Sequence, residues 1–352
     1  SAASGAGTAV GVILGGLLTG YLSWRAVMFV NVPVGIAAVV GARVVLTESP
    51  RRAVRIDWWG GVLGSLGVTA AVFAITQSGE AARGWAEPTV WVAAALAVLL
   101  LVAFLMVEAS HPAPILPLGI FRDRSRSAAL GAVMLLGFAL SMTYFQSLFV
   151  QQVLGYTPTR AGLAFLPTAV GLAVGSWVAA RLLARMPIAA VSCAGVVLGA
   201  IGVALMARWD AASSYAPDIL APVLVWALGT GLAFVPLTLA VVTGVSEREA
   251  GAVSAVMGML QQVGGAVGLA VLVAVASGAQ GAMLADAPAR LGAALAVGDD
   301  ALVARARDAI AAGGSAAFAM SAAALLFAAA LVGLWVRGSR PSAVGRPRAA
   351  DA

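Results

Sequence analysis

Residues 7–35 read GTAVGVILGGLLTGYLSWRAVMFVNVPVG: an apolar run, a polar turn at Ser23, Trp24 and Arg25, and the opening of a second apolar run. Gly7, Gly11 and Gly15 recur every fourth residue with Gly16 beside them, so a helix would carry them on one face. A face almost bare of side chains lets a second helix approach backbone to backbone, as small-residue seams do in membranes. The spacing alone fits any helix-packing seam.

What surrounds the stretch sets the class. Of the 352 residues 61% are hydrophobic and 10% charged, and the mean hydropathy is +0.99. Apolar runs of about twenty residues, the length that crosses a bilayer, follow one another along the chain. They predict ten spans, roughly 4–22, 27–46, 58–77, 89–107, 128–150, 160–183, 188–207, 218–243, 252–276 and 315–336. Charged side chains are costly at the bilayer centre, and nearly all of them fall between these runs. Trp24, Trp58, Trp59, Trp85, Trp91, Trp209 and Trp335 stand near span ends, where an aromatic belt would place them. The expected fold is therefore an all-α polytopic membrane helical bundle.

The pI near 10.6 and net charge of +6 do not point to nucleic acid. Every basic residue is Arg, and nearly all sit in the connections between spans or in the tail, with no basic face and no interleaved aromatics. About two thirds of the 21 arginines belong to one set of alternate loops and the C-terminal tail. That side is expected to be cytoplasmic, which places both ends of the chain inside. Cys193 and His111 are each alone of their type, so neither a disulfide nor a zinc or other metal site is expected. The first span follows Ser1 with no basic segment before it and does not read as a signal peptide. Residues 277–315 form the longest connection, and 299–312 read equally as a surface amphipathic helix or a solvated loop. The tail after Arg337 is expected to be disordered.

The ordered motifs resemble a known family. Gly7, Gly11, Gly15 and Gly16 followed by Trp24, Arg25, Phe29, Asn31, Val32, Pro33 and Gly35 are similar to the antiporter signature of the major facilitator superfamily. The resemblance is to its fourteen-helix drug:proton antiporter branch of multidrug efflux permeases, at the fifth and sixth helices. The family has proline after the second glycine where this chain has Val12; without it the bend that proline imposes is not expected. Asp57-Trp58-Trp59-Gly60 resembles the start of the two helices inserted between the family's bundle halves. Pro114 to Leu118 with Phe121 and Arg122 resembles its inner linker. Residues 152–167 and 250–268 resemble the opening and a late glycine-rich helix of its second half.

The resemblance implies a chain that lacks the family's first four helices. It divides the sequence into the last two helices of an N-terminal bundle (1–47), two inserted helices with the linker (48–126), a six-helix C-terminal bundle (127–339) and a cytoplasmic tail (340–352). It implies proton-coupled efflux of amphipathic small molecules, drugs or antibiotics, by alternating access. The setting implied is the plasma (inner) membrane of a bacterium, as a monomer that uses the proton gradient and no cofactor. A dedicated exporter of a self-made metabolite or antibiotic is the alternative, and a non-transporting scaffold or sensor a further one. One His and scattered loop acids provide no catalytic cluster, so no enzymatic activity is expected.

Site residues follow from both readings. The face of Gly7, Gly11, Gly15 and Gly16 is expected to pack on the sixth span, with Gly171, Gly175, Gly264 and Gly268 as interface partners between the halves. Polar residues inside apolar spans are candidates for a substrate path: Tyr144, Gln146, Gln152 and Gln262, with Trp226 beside Thr230. Hydrogen bonding between helices is the open alternative for each. All 15 acidic residues fall in loops, in the tail or at span edges. Asp57 and Asp218 are the acids nearest a span mouth, each expected as a solvated helix start. The coupling carboxylate is thus expected in the absent helices.

Overall fold

The structure is a computed structural model that describes residue 11 and residues 14–45, 57–78, 86–112, 114–245 and 247–336. Those residues are predominantly helical, without strands, and include nine helical segments long and apolar enough to cross a membrane. The fold is an all-α membrane bundle. The tenth expected span, 4–22, is described only in part, as a helix over 14–21 (α1).

In chain order α2 (Trp24–Phe29) and α3 (Asn31–Val45) follow, then a hairpin of α4 (Trp58–Ser78) and α5 (Pro88–Ser110). A 3₁₀ turn, Leu118–Arg122, leads to α6 (Arg124–Leu140), α7 (Thr143–Leu148) and a π turn, Phe149–Val153, which together make one span. Next come α8 (Pro158–Ala164) with α9 (Leu166–Leu182), α10 (Ile188–Met206), and a π turn, Tyr215–Ile219, running into α11 (Leu220–Val242). The chain closes with α12 (Glu247–Met283), α13 (Ala287–Val297) and α14 (Asp300–Trp335).

Starts of these helices are chemically marked. Asp123 accepts from the Arg126 N–H at α6, Thr157 from the Arg160 N–H at α8, and Asp299 from the Leu302 N–H at α14. Each supplies an acceptor to an orphan first-turn donor. Pro158 and Pro167 stand in the first turns of α8 and α9, where a missing N–H costs nothing.

The core lies among α6, α9, α10, α11, α12 and α14. α11 packs between α9 and α10, α14 against α10, α6 and α12, and α12 against α6. The hairpin leans on this bundle through α4 against α12. By contrast, α2 and α3 bury no residue. Arg126 ties the start of α6 to the end of α11, donating from Nε to the Val241 carbonyl at 3.2 Å and from a terminal nitrogen to the Thr243 carbonyl at 3.3 Å. Those are carbonyls a helix end cannot satisfy itself. Arg126→Ala is expected to lower stability by about 1–2 kcal/mol, since bonds to a charged donor are stronger than neutral ones but this one is partly exposed. A lower melting temperature in detergent, not rescued by Arg126→Lys because the forked geometry is lost, checks it.

Two expectations are corrected. Residues 299–312 form neither a surface helix nor a loop. They open the 36-residue helix α14, whose Ala306, Ala309 and Ile310 are buried beside Leu284, Ala287 and Leu291 of the α12–α13 corner. Trp209 is no belt residue. It is 4% exposed, packed between Phe149 (tilted) and Phe318 (edge-on) with both ring centroids at 5.1 Å. Trp24, Trp58, Trp59, Trp91 and Trp335 are exposed, as a belt requires, and Trp85 lies outside the described residues.

Candidate transport site

The glycines sort into two groups once their neighbours are known. Gly264 and Gly268 of α12 lie against the α6 backbone: a Cβ on Gly264 would strike the Met134 carbonyl, and one on Gly268 would sit 2.6 Å from the Phe138 Cα. In return Gly137 of α6 meets the Gln261 backbone. Gly171 and Gly175 of α9 face α11, where added carbons would meet the Ala227 Cβ at 2.7 Å and the Leu232 nitrogen at 2.9 Å. All four are spent on seams inside the bundle. This departs from the expected contact between halves: the glycine face of α9 is already filled by the α11 backbone.

The signature helix does reach the sixth span, but at its beginning. The Thr159 hydroxyl donates to the Gly16 carbonyl at 3.2 Å, and a Cβ on Gly16 would lie 3.2 Å from the Pro158 carbonyl oxygen and 3.5 Å from the Gly162 Cα. Gly20, one turn further, meets the Thr159 hydroxyl. Gly11 and Gly15 have open space around them, and Gly7 lies outside the described residues.

The polar candidates separate in the same way. The span of α6 and α7 is interrupted at Ser141 and Met142, and the Ser141 hydroxyl donates to the Gly265 carbonyl of α12 at 2.7 Å. Just past this tie Tyr144 is 49% exposed. On α12, Gln262 is exposed three residues before Gly265. Tyr144 and Gln262 therefore stand exposed on the two spans that this hydrogen bond joins, each three residues along its own chain from it.

Gln146 faces the other way. It is 1% exposed, with its amide nitrogen 3.1 Å from the Met206 sulfur and its carbonyl oxygen unpartnered. Trp226, 2% exposed, lies over Gly202 in the α10–α11 seam, and Thr230 is buried in the same seam. Gln152 is half-buried with its side-chain oxygen unpartnered. Neither Gln146 nor Trp226 lies on an open face, which corrects the expectation that they line a path. Asp218 is exposed and accepts from the backbone and side chain of Ser214. Asp57, expected to be solvated, is 4% exposed beside Glu108, which is 2% exposed. Sequence reasoning passed over Glu108 because it falls at a span edge, where an acid is ordinarily solvated.

Among the described residues no group of His, Cys, Asp and Glu has the makings of a metal site. What the arrangement offers is an aromatic hydroxyl and amides among the exposed side chains of mainly apolar helices, a pattern suited to binding amphipathic molecules.

Comparison with known proteins identifies this architecture. The chain is 40% identical over 294 residues to the puromycin resistance protein pur8 of Streptomyces alboniger, covering 81% of this chain and 57% of that one. It is 38% identical over 279 residues to the cephamycin export protein CmcT of Amycolatopsis lactamdurans (76% and 56% covered). It is 36% identical over 274 residues to EfpA, an uncharacterized MFS-type transporter of Mycobacterium tuberculosis (76% and 51%). The chain thus spans about half the length of the curated relatives it matches. The family model described as Major Facilitator Superfamily matches residues 1–269, and the chain belongs to that superfamily.

Proposed function

We propose that the full-length protein is a proton-coupled exporter that moves amphipathic small molecules out of a bacterial cell by alternating access. The observation that carries this reading is the set of exposed polar side chains, Tyr144 and Gln262 among them, on the two spans that the Ser141–Gly265 hydrogen bond joins. Membrane helices keep such residues on open faces only where water, ligand or another protein segment meets them. The names of relatives supply the substrate class: one is a puromycin resistance protein and another a cephamycin export protein. In this reading the protein works as a monomer in the inner membrane with both ends of this chain cytoplasmic, is driven by the proton gradient, and carries no cofactor.

A second reading, export of one self-made antibiotic, is favoured by the relatives named for a single compound, among them a tetracenomycin C resistance and export protein. Sealed inverted vesicles bearing the full-length protein separate the possibilities. Uptake of several amphipathic dyes and antibiotics that collapses with an uncoupler is the expected result, and uptake of one compound alone selects the second reading. Absence of gradient-dependent movement for every compound overturns both.

A further inference from the structure

The base of the α4–α5 hairpin holds two buried acids that the export reading does not use. Asp57 precedes α4 and its Oδ1 accepts from the Gly60 N–H at 2.8 Å. Glu108, near the end of α5, accepts through Oε2 from the Leu116 N–H of the following linker at 2.9 Å. One oxygen of each carboxyl is thereby satisfied. The other two, Asp57 Oδ2 and Glu108 Oε1, are buried and have no hydrogen-bond partner. They face one point: a Cβ on Gly60 would touch Asp57 Oδ2 and lie 2.8 Å from Glu108 Oε1. The glycine makes room for both.

Two ionised carboxylates so placed would leave a doubled charge out of water and two acceptors unmet. Both costs are large, and like charges at close range do not both persist. A single proton resolves both, turning one orphan oxygen into a donor for the other. A metal cation does not fit as well. Calcium takes six to eight oxygens and magnesium a near-octahedral set, whereas only two oxygens are free here and two backbone N–H donors point into the same site.

We infer that Glu108 is a proton-binding residue, held as the carboxylic acid and donating its O–H to the Asp57 carboxylate across Gly60. The proton locks the hairpin to the linker at Leu116, which is buried in the main core, so the site joins α4, α5 and the entrance to α6. Among the described residues, the titratable side chain that acts on Glu108 besides Asp57 is His111. α4 carries no charged residue, and α12, packed on it, has its charged residues Glu247, Arg248 and Glu249 in its first turn.

Infrared difference spectra of the purified full-length protein at pH 7 test the assignment. The native protein minus Glu108→Gln is expected to show one protonated carboxyl stretch per chain. Asp57→Asn, whose amide can donate to Glu108 while its oxygen keeps the Gly60 bond, is expected to lose the same band. Thermal melts between pH 6 and pH 9 add a second readout: the native protein loses stability toward pH 9, and Glu108→Gln, with a fixed amide donor, does not. If one variant does not fold, the other supplies the same comparison, and the native melt stands independently of both. A native spectrum without the band, a band that survives in either folded variant, or a native melt raised by sodium or calcium instead of by protons overturns the inference. Transport is not measured in any arm, so failure of the export reading leaves this result unaffected.

Discussion

Gly229→Val is expected to abolish the folded C-terminal part of the molecule, leaving protein that aggregates on extraction into mild detergent. A Cβ at this position would strike the Gly199 nitrogen and lie 2.6 Å from the Gly199 Cα and 2.7 Å from the Gly195 carbonyl oxygen. The obstacles are backbone atoms of α10, which cannot rotate away as a side chain can. The same seam is close at two further levels. Carbons added to Gly195 and Gly202 would stand 2.8 Å from the Ala233 Cα and 2.7 Å from the Trp226 Cα. Relief requires α10 and α11 to move apart along the whole contact. Overpacking by a methylene or two in a relaxable core costs about 1–3 kcal/mol, and separating a backbone seam exceeds that, against a total stability of about 5–15 kcal/mol.

Gly258→Ala is the matched control. Gly258 lies within α12 with nothing in reach of an added carbon, so alanine is expected to be neutral or to stabilise by up to about 1 kcal/mol through helix propensity. Size-exclusion profiles after a heat step compare the two. A Gly229→Val protein that stays monodisperse and melts like the parent would show that α10 and α11 are not held at this separation.

The contrast between those glycines marks how far the sequence can be read. Spacing identifies a bare helical face, and Gly171, Gly175, Gly264 and Gly268 were legible as seam residues for that reason. Spacing does not identify the neighbour, since any helix with small residues fits, and the partners found on α11 and α6 are set by how the whole bundle packs. Span positions were legible because the bilayer length imposes a run of apolar residues. The beginning of α14 was not. Asp300, Arg305, Arg307 and Asp308 interrupt the apolar run, while the alternate face of Ala306, Ala309 and Ile310 packs on the α12–α13 corner instead of a lipid surface. Helical periodicity also fails across irregular turns. The break at Ser141 and Met142 and the π turn at Phe149–Val153 each shift the phase of the residues that follow. A wheel drawn through this span cannot tell which polar side chains look outward.

Tyr144 and Gln146 make that failure measurable, because the structure gives opposite fates to two residues that looked equivalent. Tyr144→Ala removes an aromatic hydroxyl from an open face and empties no core, so melting temperature and membrane level are expected to stay at parent values. Its ring meets Phe145 edge-on at 5.3 Å, and Phe145 is itself held in the core, so the fold does not depend on that contact. If the face binds substrate, transport falls by tenfold or more, equivalent to about 1.4 kcal/mol of lost binding or barrier lowering. Gln146→Ala should do the reverse. It empties a fully buried site beside Met206 and lowers stability by about 2–3 kcal/mol through the cavity, with transport per folded molecule nearly unchanged. Gln146→Leu fills the volume and removes the unpartnered carbonyl oxygen, so it is expected to recover most of that loss. Efflux per correctly folded molecule, set beside the melt of each variant, tests the pair. Transport lost in Gln146→Leu but kept in Tyr144→Ala would place the substrate on the α10 side of this span and overturn the assignment of the open face.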